Sequence, residues 1–245
     1  MIPIDSKEYR LLYTDEFGDD VGLDEVQLLD PPLEDRVPEL LGLLDSSDTF
    51  VSYQAMLVLS AWGNESGVKF LDSLVDEEKI HESGFESHRI TDEDNVYDEL
   101  AYAIYLYSLS DGDEDKIITI LKKLLSIYPK YFFESKLKYV LLKTNYIELA
   151  DLIENVIQST LSNQKPYQAS QLLPVLARFD AKKGWSAIQS FINLPPSIPD
   201  PANNIAESLK YCSSQDAEKL LLKYMSSKSP GVAEEASLSL KYMKS

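Results

Sequence analysis

Few side chains in this chain combine the type and the spacing that chemistry needs. His81 and His88 bracket the run His-Glu-Ser-Gly-Phe-Glu-Ser-His in a polar stretch. Zinc requires a compact set of imidazole and thiolate ligands, and two histidines with a single cysteine elsewhere do not complete one. That cysteine, Cys212, falls on the apolar face of a helical pattern with no histidine near it in sequence. A reactive thiol needs an electropositive, accessible setting, so Cys212 reads as a small buried hydrophobe. Asp92-Glu93-Asp94 with Asp98 and Glu99, and the run Asp111-Gly112-Asp113-Glu114-Asp115, offer enough carboxylates for a hard cation. Neither has the spaced ligand loop of an EF-hand, and acidic residues regularly open helices here, which assigns them to capping and solvation. The nine glycines form no phosphate-cradling loop. Carboxylates are so many that no pair stands apart for hydrolysis. The chain reads as a non-enzyme without metal or cofactor.

The carboxylates matter instead as a field. Residues 1–115 hold 30 Asp and Glu against 6 Lys and Arg, whereas residues 116–245 hold 11 against 17. A domain-scale field of one sign concentrates a partner of the other sign and speeds its docking. The acidic half argues for a basic protein partner and against nucleic acid, whose phosphates it would repel. Absence of any apolar run near the roughly 20 residues needed to span a bilayer argues against a membrane. One cysteine and no signal-peptide pattern at the start are the composition of a soluble, cytoplasmic protein.

Helical periodicity positions these groups, and the fold class it predicts is all-α. Val37, Leu40, Leu41 and Leu44 share a helix face, with Pro38 in the first turn. Asp45–Asp48 then breaks the pattern before an apolar helix, Phe50–Trp62, in which Val51, Ala55, Val58 and Trp62 line one side. The order of helix, acidic turn, apolar helix and Gly/Asn turn repeats, with second helices starting near 49, 95, 132, 168, 203 and 231. Periods of this size predict an α-solenoid of antiparallel helical hairpins, about six pairs over 35–245 within a single domain spanning 1–245. Residues 1–34 fall outside the repeat and are expected to be an irregular cap over its first edge. The segment 76–95 reads as an inserted loop, and the proline-rich stretch 194–201 as a stiff connector. Pro174, inside a helical run, predicts a kink or late start.

Leu40–Leu74, LLGLLDSSDTFVSYQAMLVLSAWGNESGVKFLDSL, resembles a HEAT-type repeat, as does LLLKYMSSKSPGVAEEASLSLKYM at Leu220–Met243. The middle pairs lack that family's Asp-x-x-x-Val-Arg turn. Size, acidic N-terminal half, missing catalytic residues and HEAT-like array together resemble the immunity proteins of bacterial contact-dependent growth-inhibition systems. That resemblance implies a cognate toxin domain bound 1:1, a basic nuclease such as an EndoU-like ribonuclease. Candidate partner-binding residues are Asp15, Glu16, Asp19 and Asp20; Asp76, Glu77 and Glu78; and Asp92, Glu93, Asp94, Asp98 and Glu99, with Tyr102 and Tyr105 as the packed centre. The tyrosines belong to a helix that carries Tyr97, Tyr102, Tyr105 and Tyr107, in a chain with 15 tyrosines. Tyrosine suits an interface because it offers apolar area and a hydroxyl at low entropic cost. Two other readings compete. A non-catalytic scaffold would bind its partner through apolar groove contacts, and a helical-repeat enzyme such as a DNA glycosylase would use the basic C-terminal half.

Overall fold

A computed structural model describes residues 2–89, 92–194 and 199–244, and their regular structure is helical. Only two isolated β-bridges, Thr14 with Asp20 and Ser87 with Asp94, occur among these residues. Residues 90 and 91 of the expected insertion and 195–198 of the expected connector lie outside the described residues. None of the described helices is long and apolar enough to cross a membrane. The chain divides into two compact units, Met1–Leu124 and Leu125–Ser245.

The first unit holds α1 (Lys7–Tyr13), α2 (Leu23–Gln27), α3 (Val37–Leu43), α4 (Thr49–Ala61), α5 (Glu65–Glu77), α6 (Val96–Leu109) and most of α7 (Glu114–Ile127). Asp48 caps α4 by accepting the Phe50 N–H at 3.0 Å, and Asn64 caps α5 from Ser66 at 2.9 Å. Every residue of α4 from Val51 to Ala61 is buried, not the single face that periodicity selects. The reason is its neighbours: α3, α5 and α6 pack on α4 as a hairpin array requires, and α1 and α2 cover the side left open. The expected irregular cap is thus partly helical. Its Leu11, Leu12 and Val26 join Leu40, Val51, Ala55, Val58 and Leu59 in one core.

Polar ties lock the turns of this unit together. Glu65 accepts from the Tyr107 hydroxyl at 2.6 Å and pairs with Lys116, while the same hydroxyl receives the Asp113 N–H at 3.1 Å. Lys116 first, then Tyr107, hold the Glu65 carboxyl below its ordinary value. Lys123 on α7 bridges Asp72 at 2.7 Å and Asp76 at 2.8 Å on α5.

In the second unit follow α8 (Lys136–Thr144), α9 (Ala150–Ser162), α10 (Pro166–Gln171), α11 (Leu173–Phe179), α12 (Ala181–Ile192), α13 (Ala202–Leu209), α14 (Gln215–Tyr224) and α15 (Pro230–Met243). The second helices α8, α11, α13 and α15 pack side by side in one layer, backed by α9, α12 and α14. This is a solenoid of antiparallel hairpins, as the repeat predicts. Lys183 on α12 bridges Asp151 and Glu154 on α9, the same device as Lys123. Pro174 sits in the first turn of α11 and splits the expected long helix into α10 and α11.

Two expectations fail locally. The helix expected from Phe132 begins at Lys136, because Phe133 is drawn into the core beside Tyr128, ring centroids 4.8 Å apart. The Gln168 amide holds that non-helical segment by donating to the Tyr128 and Tyr131 carbonyls at 2.6 and 2.8 Å. Cys212 lies in the turn after α13 rather than on it, buried beside the Ser208 and Ala181 carbonyls, and burial pushes its thiol up to about 11. The inert-thiol reading follows from that environment.

Glycines permit the closest helix approaches. A Cβ on Gly67 would stand 2.7 Å from the Leu59 Cβ, and one on Gly184 would stand 2.4 Å from the Ala177 Cα. Nothing lies within 4 Å of a Cβ on Gly42, in α3. Gly67→Val and Gly184→Val are therefore expected to lose about 1–3 kcal/mol from overpacking. Gly42→Ala should instead gain about 0.5–1 kcal/mol from helix propensity. Thermal and urea denaturation of the three variants reads both signs.

Candidate functional site

The acidic segments converge on the N-terminal end of α4. Its first turns present Phe50, Tyr53 and Gln54, and three stretches of chain are pinned to them. The cap arrives through Tyr13, whose hydroxyl donates to Gln54 Oε1 at 2.6 Å. Next to it Tyr9 stacks on Tyr13 at 4.7 Å and donates to Asp20 at 2.6 Å. The stretch 78–95 arrives through Phe85, whose ring lies 5.2 Å from both Phe50 and Tyr53, and through Glu86, which accepts from the Tyr53 hydroxyl at 3.2 Å. The start of α6 brings Glu99.

Tyrosine electrostatics record this convergence. Burial, then the charges of Glu86 and Glu99, hold the enclosed Tyr53 hydroxyl well above its ordinary value, with Asp94 adding to them. Tyr13 is raised first by burial and further by the charges of Glu86 and Asp20. Asp20, Glu86, Asp94 and Glu99 thus belong to one local field, though they come from distant parts of the sequence.

A groove of about 420 Å³ opens beside these residues. Tyr53, Phe70, Leu74, Ile80 and Phe85 give it an apolar floor, and Glu77, Glu82 and Lys79, which pairs with Glu77, stand on its wall. Such a combination suits an apolar anchor flanked by positive charge.

The sequence-predicted carboxylates divide into those that build this end and those that face outward. Asp15 builds: its Oδ1 accepts the Phe17 and Asp19 N–H groups, both at 2.9 Å, closing the turn 15–19. Arg36 fixes that turn from below by donating to the Thr14 and Asp15 carbonyls, both at 2.5 Å. Asp94 builds as well, accepting from Ser83 Oγ at 2.8 Å, Gly84 N at 2.7 Å and Val96 N at 3.2 Å. Glu78 ends α5 in a left-handed conformation at φ 49°, and its carbonyl contacts His81 Nδ1 at 2.8 Å. Asp76 is occupied by Lys123, and Glu77 by Lys79 at 3.1 Å.

Outward-facing are Glu16, Asp19, Asp20, Asp92 and Glu93, all exposed. Asp98 does not belong among them. It is completely buried, because α6 is enclosed on most of its surface rather than along one stripe. Tyr102 and Tyr105 are half-buried further along α6, ring centroids 6.0 Å apart, and neither lines the groove. Tyr53 and Phe85 line it instead, and sequence reasoning did not single them out. One signal was available for Phe85, the sole Phe, Tyr or Trp in the stretch 76–95.

Among the described residues no group of three or more His, Cys, Asp or Glu side chains is arranged to hold a metal ion. No family model matches this chain, and no curated protein does. Among solved structures, an engineered protein determined by the Northeast Structural Genomics Consortium is similar over 85% of this chain and 98% of its own. Identity is 18% and the TM-score 0.42, too low to argue from.

Asp94→Ala should free the stretch 83–95 from the start of α6. The loss expected is about 1.5–3 kcal/mol, for hydrogen bonds to a charged acceptor. Hydrogen-exchange mass spectrometry should show faster exchange confined to residues 83–97. Glu16→Ala, at an exposed position, should stay within about 0.5 kcal/mol of the parent.

Proposed function

We propose that this chain is a non-catalytic inhibitor that captures a basic protein on the acidic end of its first unit. The observation that carries the reading is the convergence of carboxylates from the cap, the stretch 76–95 and the start of α6 around Tyr53 and Phe85. Enclosing α4 draws these segments together, but it does not require them to be acidic. Several of the unit's cations are committed: Arg36 to the 14–15 backbone, Lys79 to Glu77 and Lys7 to Glu39 at 3.0 Å. The exposed carboxylates Glu16, Asp19, Asp20, Glu82, Asp92 and Glu93 outnumber the exposed cations Lys79 and Arg89 at a surface that also offers an apolar groove. Steering supplies on-rate, and the groove supplies the desolvated anchor.

The resemblance of the HEAT-like hairpins and the acidic half to immunity proteins gives the partner a class. It is the nuclease domain of a bacterial contact-dependent toxin, held 1:1 in the cytoplasm, with its phosphate-binding cleft covered. Nuclease clefts are basic because they bind phosphate, which makes them complementary to this surface.

Charge reversal tests the reading. A variant carrying Glu16→Lys, Asp19→Lys and Glu82→Lys, all at exposed positions, leaves the building carboxylates intact and should melt like the parent. Immobilised parent chain should retain a basic protein from lysate of the source cells and release it on raising salt. The variant should associate with that protein at least about ten-fold more slowly at low ionic strength. Retention of the same partner at unchanged rate, or retention of acidic and neutral proteins only, overturns it. Depletion of a nuclease activity from the lysate by the parent chain and not by the variant would support the toxin class.

A further inference from the structure

A second groove lies at the other end of α4, where the C-terminal ends of α4 and α6 meet the segment after α2. We infer that it receives the side chain of a lysine or arginine from the same protein partner. The inference rests on the basic-partner reading and adds an anchor point to it.

The groove encloses about 460 Å³ and has no Lys, Arg or His in its lining. Asp30 and Asp111 stand on opposite sides of its sequence, one after α2 and one after α6, and both line it. Both are exposed, and neither is drawn into an ion pair among the described residues. The two helices present their C-terminal ends here, where the peptide dipoles sum to partial negative charge. Dipole ends and carboxylates therefore act in the same direction and favour a cation.

The apolar part of the lining suits the stem of such a side chain. Trp62 lines the groove, its indole fixed by donation from Nε1 to the Val26 carbonyl at 2.9 Å. An aromatic face beside carboxylates is a favourable seat for guanidinium or ammonium. Leu106 lies in the lining, and Leu28 and Leu109 flank it at 54% and 63% exposure. Long basic side chains bury their methylenes on apolar surface of this kind while the charged head stays with polar groups.

The walls are rigid. Ser110 Oγ donates to the Ala61 carbonyl at 2.8 Å, joining the two helix ends. Behind them stands the Glu65–Tyr107–Lys116 tie. The exposed leucines select a protein over a small free amine, because a small amine would leave both uncovered. A protein surface presenting one basic residue would cover them.

The probe is N-acetyl-arginine methylamide, with the uncharged isostere N-acetyl-citrulline methylamide beside it. Titrate each into the full ¹⁵N-labelled chain and follow the Trp62 indole N–H, assigned by its absence in Trp62→Phe; Trp185 supplies the only other indole and is an internal control. The arginine probe should shift the Trp62 signal saturably at millimolar concentration, and citrulline should bind about five- to ten-fold more weakly. Asp30→Asn with Asp111→Asn should abolish that preference while the melting temperature stays unchanged.

Equal responses to both probes, or a preference that survives the double substitution, overturns the inference. The outcome separates from that of the preceding section. A charge-selective Trp62 response with no basic partner captured leaves the groove standing and removes the inhibitor reading. Salt-sensitive capture with no Trp62 response does the reverse.

Discussion

A helix with no polar face has to be covered on every side. α4 is such a helix, with Val51–Ala61 buried without interruption. Its hairpin-stack neighbours α3, α5 and α6 leave part of its surface open, and burying each large apolar side chain is worth about 1.5–3 kcal/mol. The cap is therefore a structural necessity: Leu11, Leu12 and Val26 close the remaining face. The same necessity draws the cap loop and the stretch 78–95 to one end of α4. Their attachment points are Tyr13 on Gln54 and Phe85 between Phe50 and Tyr53. Enclosing an apolar helix thus assembles, as a by-product, the carboxylates that those segments carry.

Assembling so many like charges opposes folding, and the molecule offsets it by giving part of them structural work. Asp15 and Asp94 accept backbone N–H groups and hold turns. Asp72 and Asp76 share Lys123. The side chains of Glu16, Asp19 and Asp92 are left facing solvent and join no ion pair among the described residues. Retaining uncompensated charge at one end costs self-repulsion, which an oppositely charged partner would relieve. The second unit lacks this pattern. Some of its lysines form ties such as Lys183 to Asp151 and Glu154 and Lys138 to Glu207.

Helices were legible in the sequence because their apolar positions repeat with the helical period. Second helices expected near 49, 95, 132, 168, 203 and 231 begin at 49, 96, 136, 166, 202 and 230, the fourth counted from α10, with which the split α10–α11 helix starts. The largest error, at α8, arises where Phe133 packs as core from a non-helical segment, which periodicity cannot distinguish from a helix start. Burial of Asp98 escaped for a related reason: a one-stripe view of α6 puts it outside, and the helix is enclosed beyond one stripe. Site contacts were less legible than helices. Tyr53 with Glu86 spans 33 residues, and Tyr13 with Gln54 spans 41. No local pattern encodes partners at that separation. Composition alone exposed the charge asymmetry, but which carboxylates support turns and which face outward depends on hydrogen bonds that only the fold supplies.

The account stands or falls on where the partner sits. Hydrogen exchange of the full chain, measured alone and with its captured basic partner, maps that position directly. Protection should appear at residues 13–22 and 76–89, over the turns pinned to the start of α4. Protection confined to residues 125–244, with those segments exchanging as in the free chain, would contradict it.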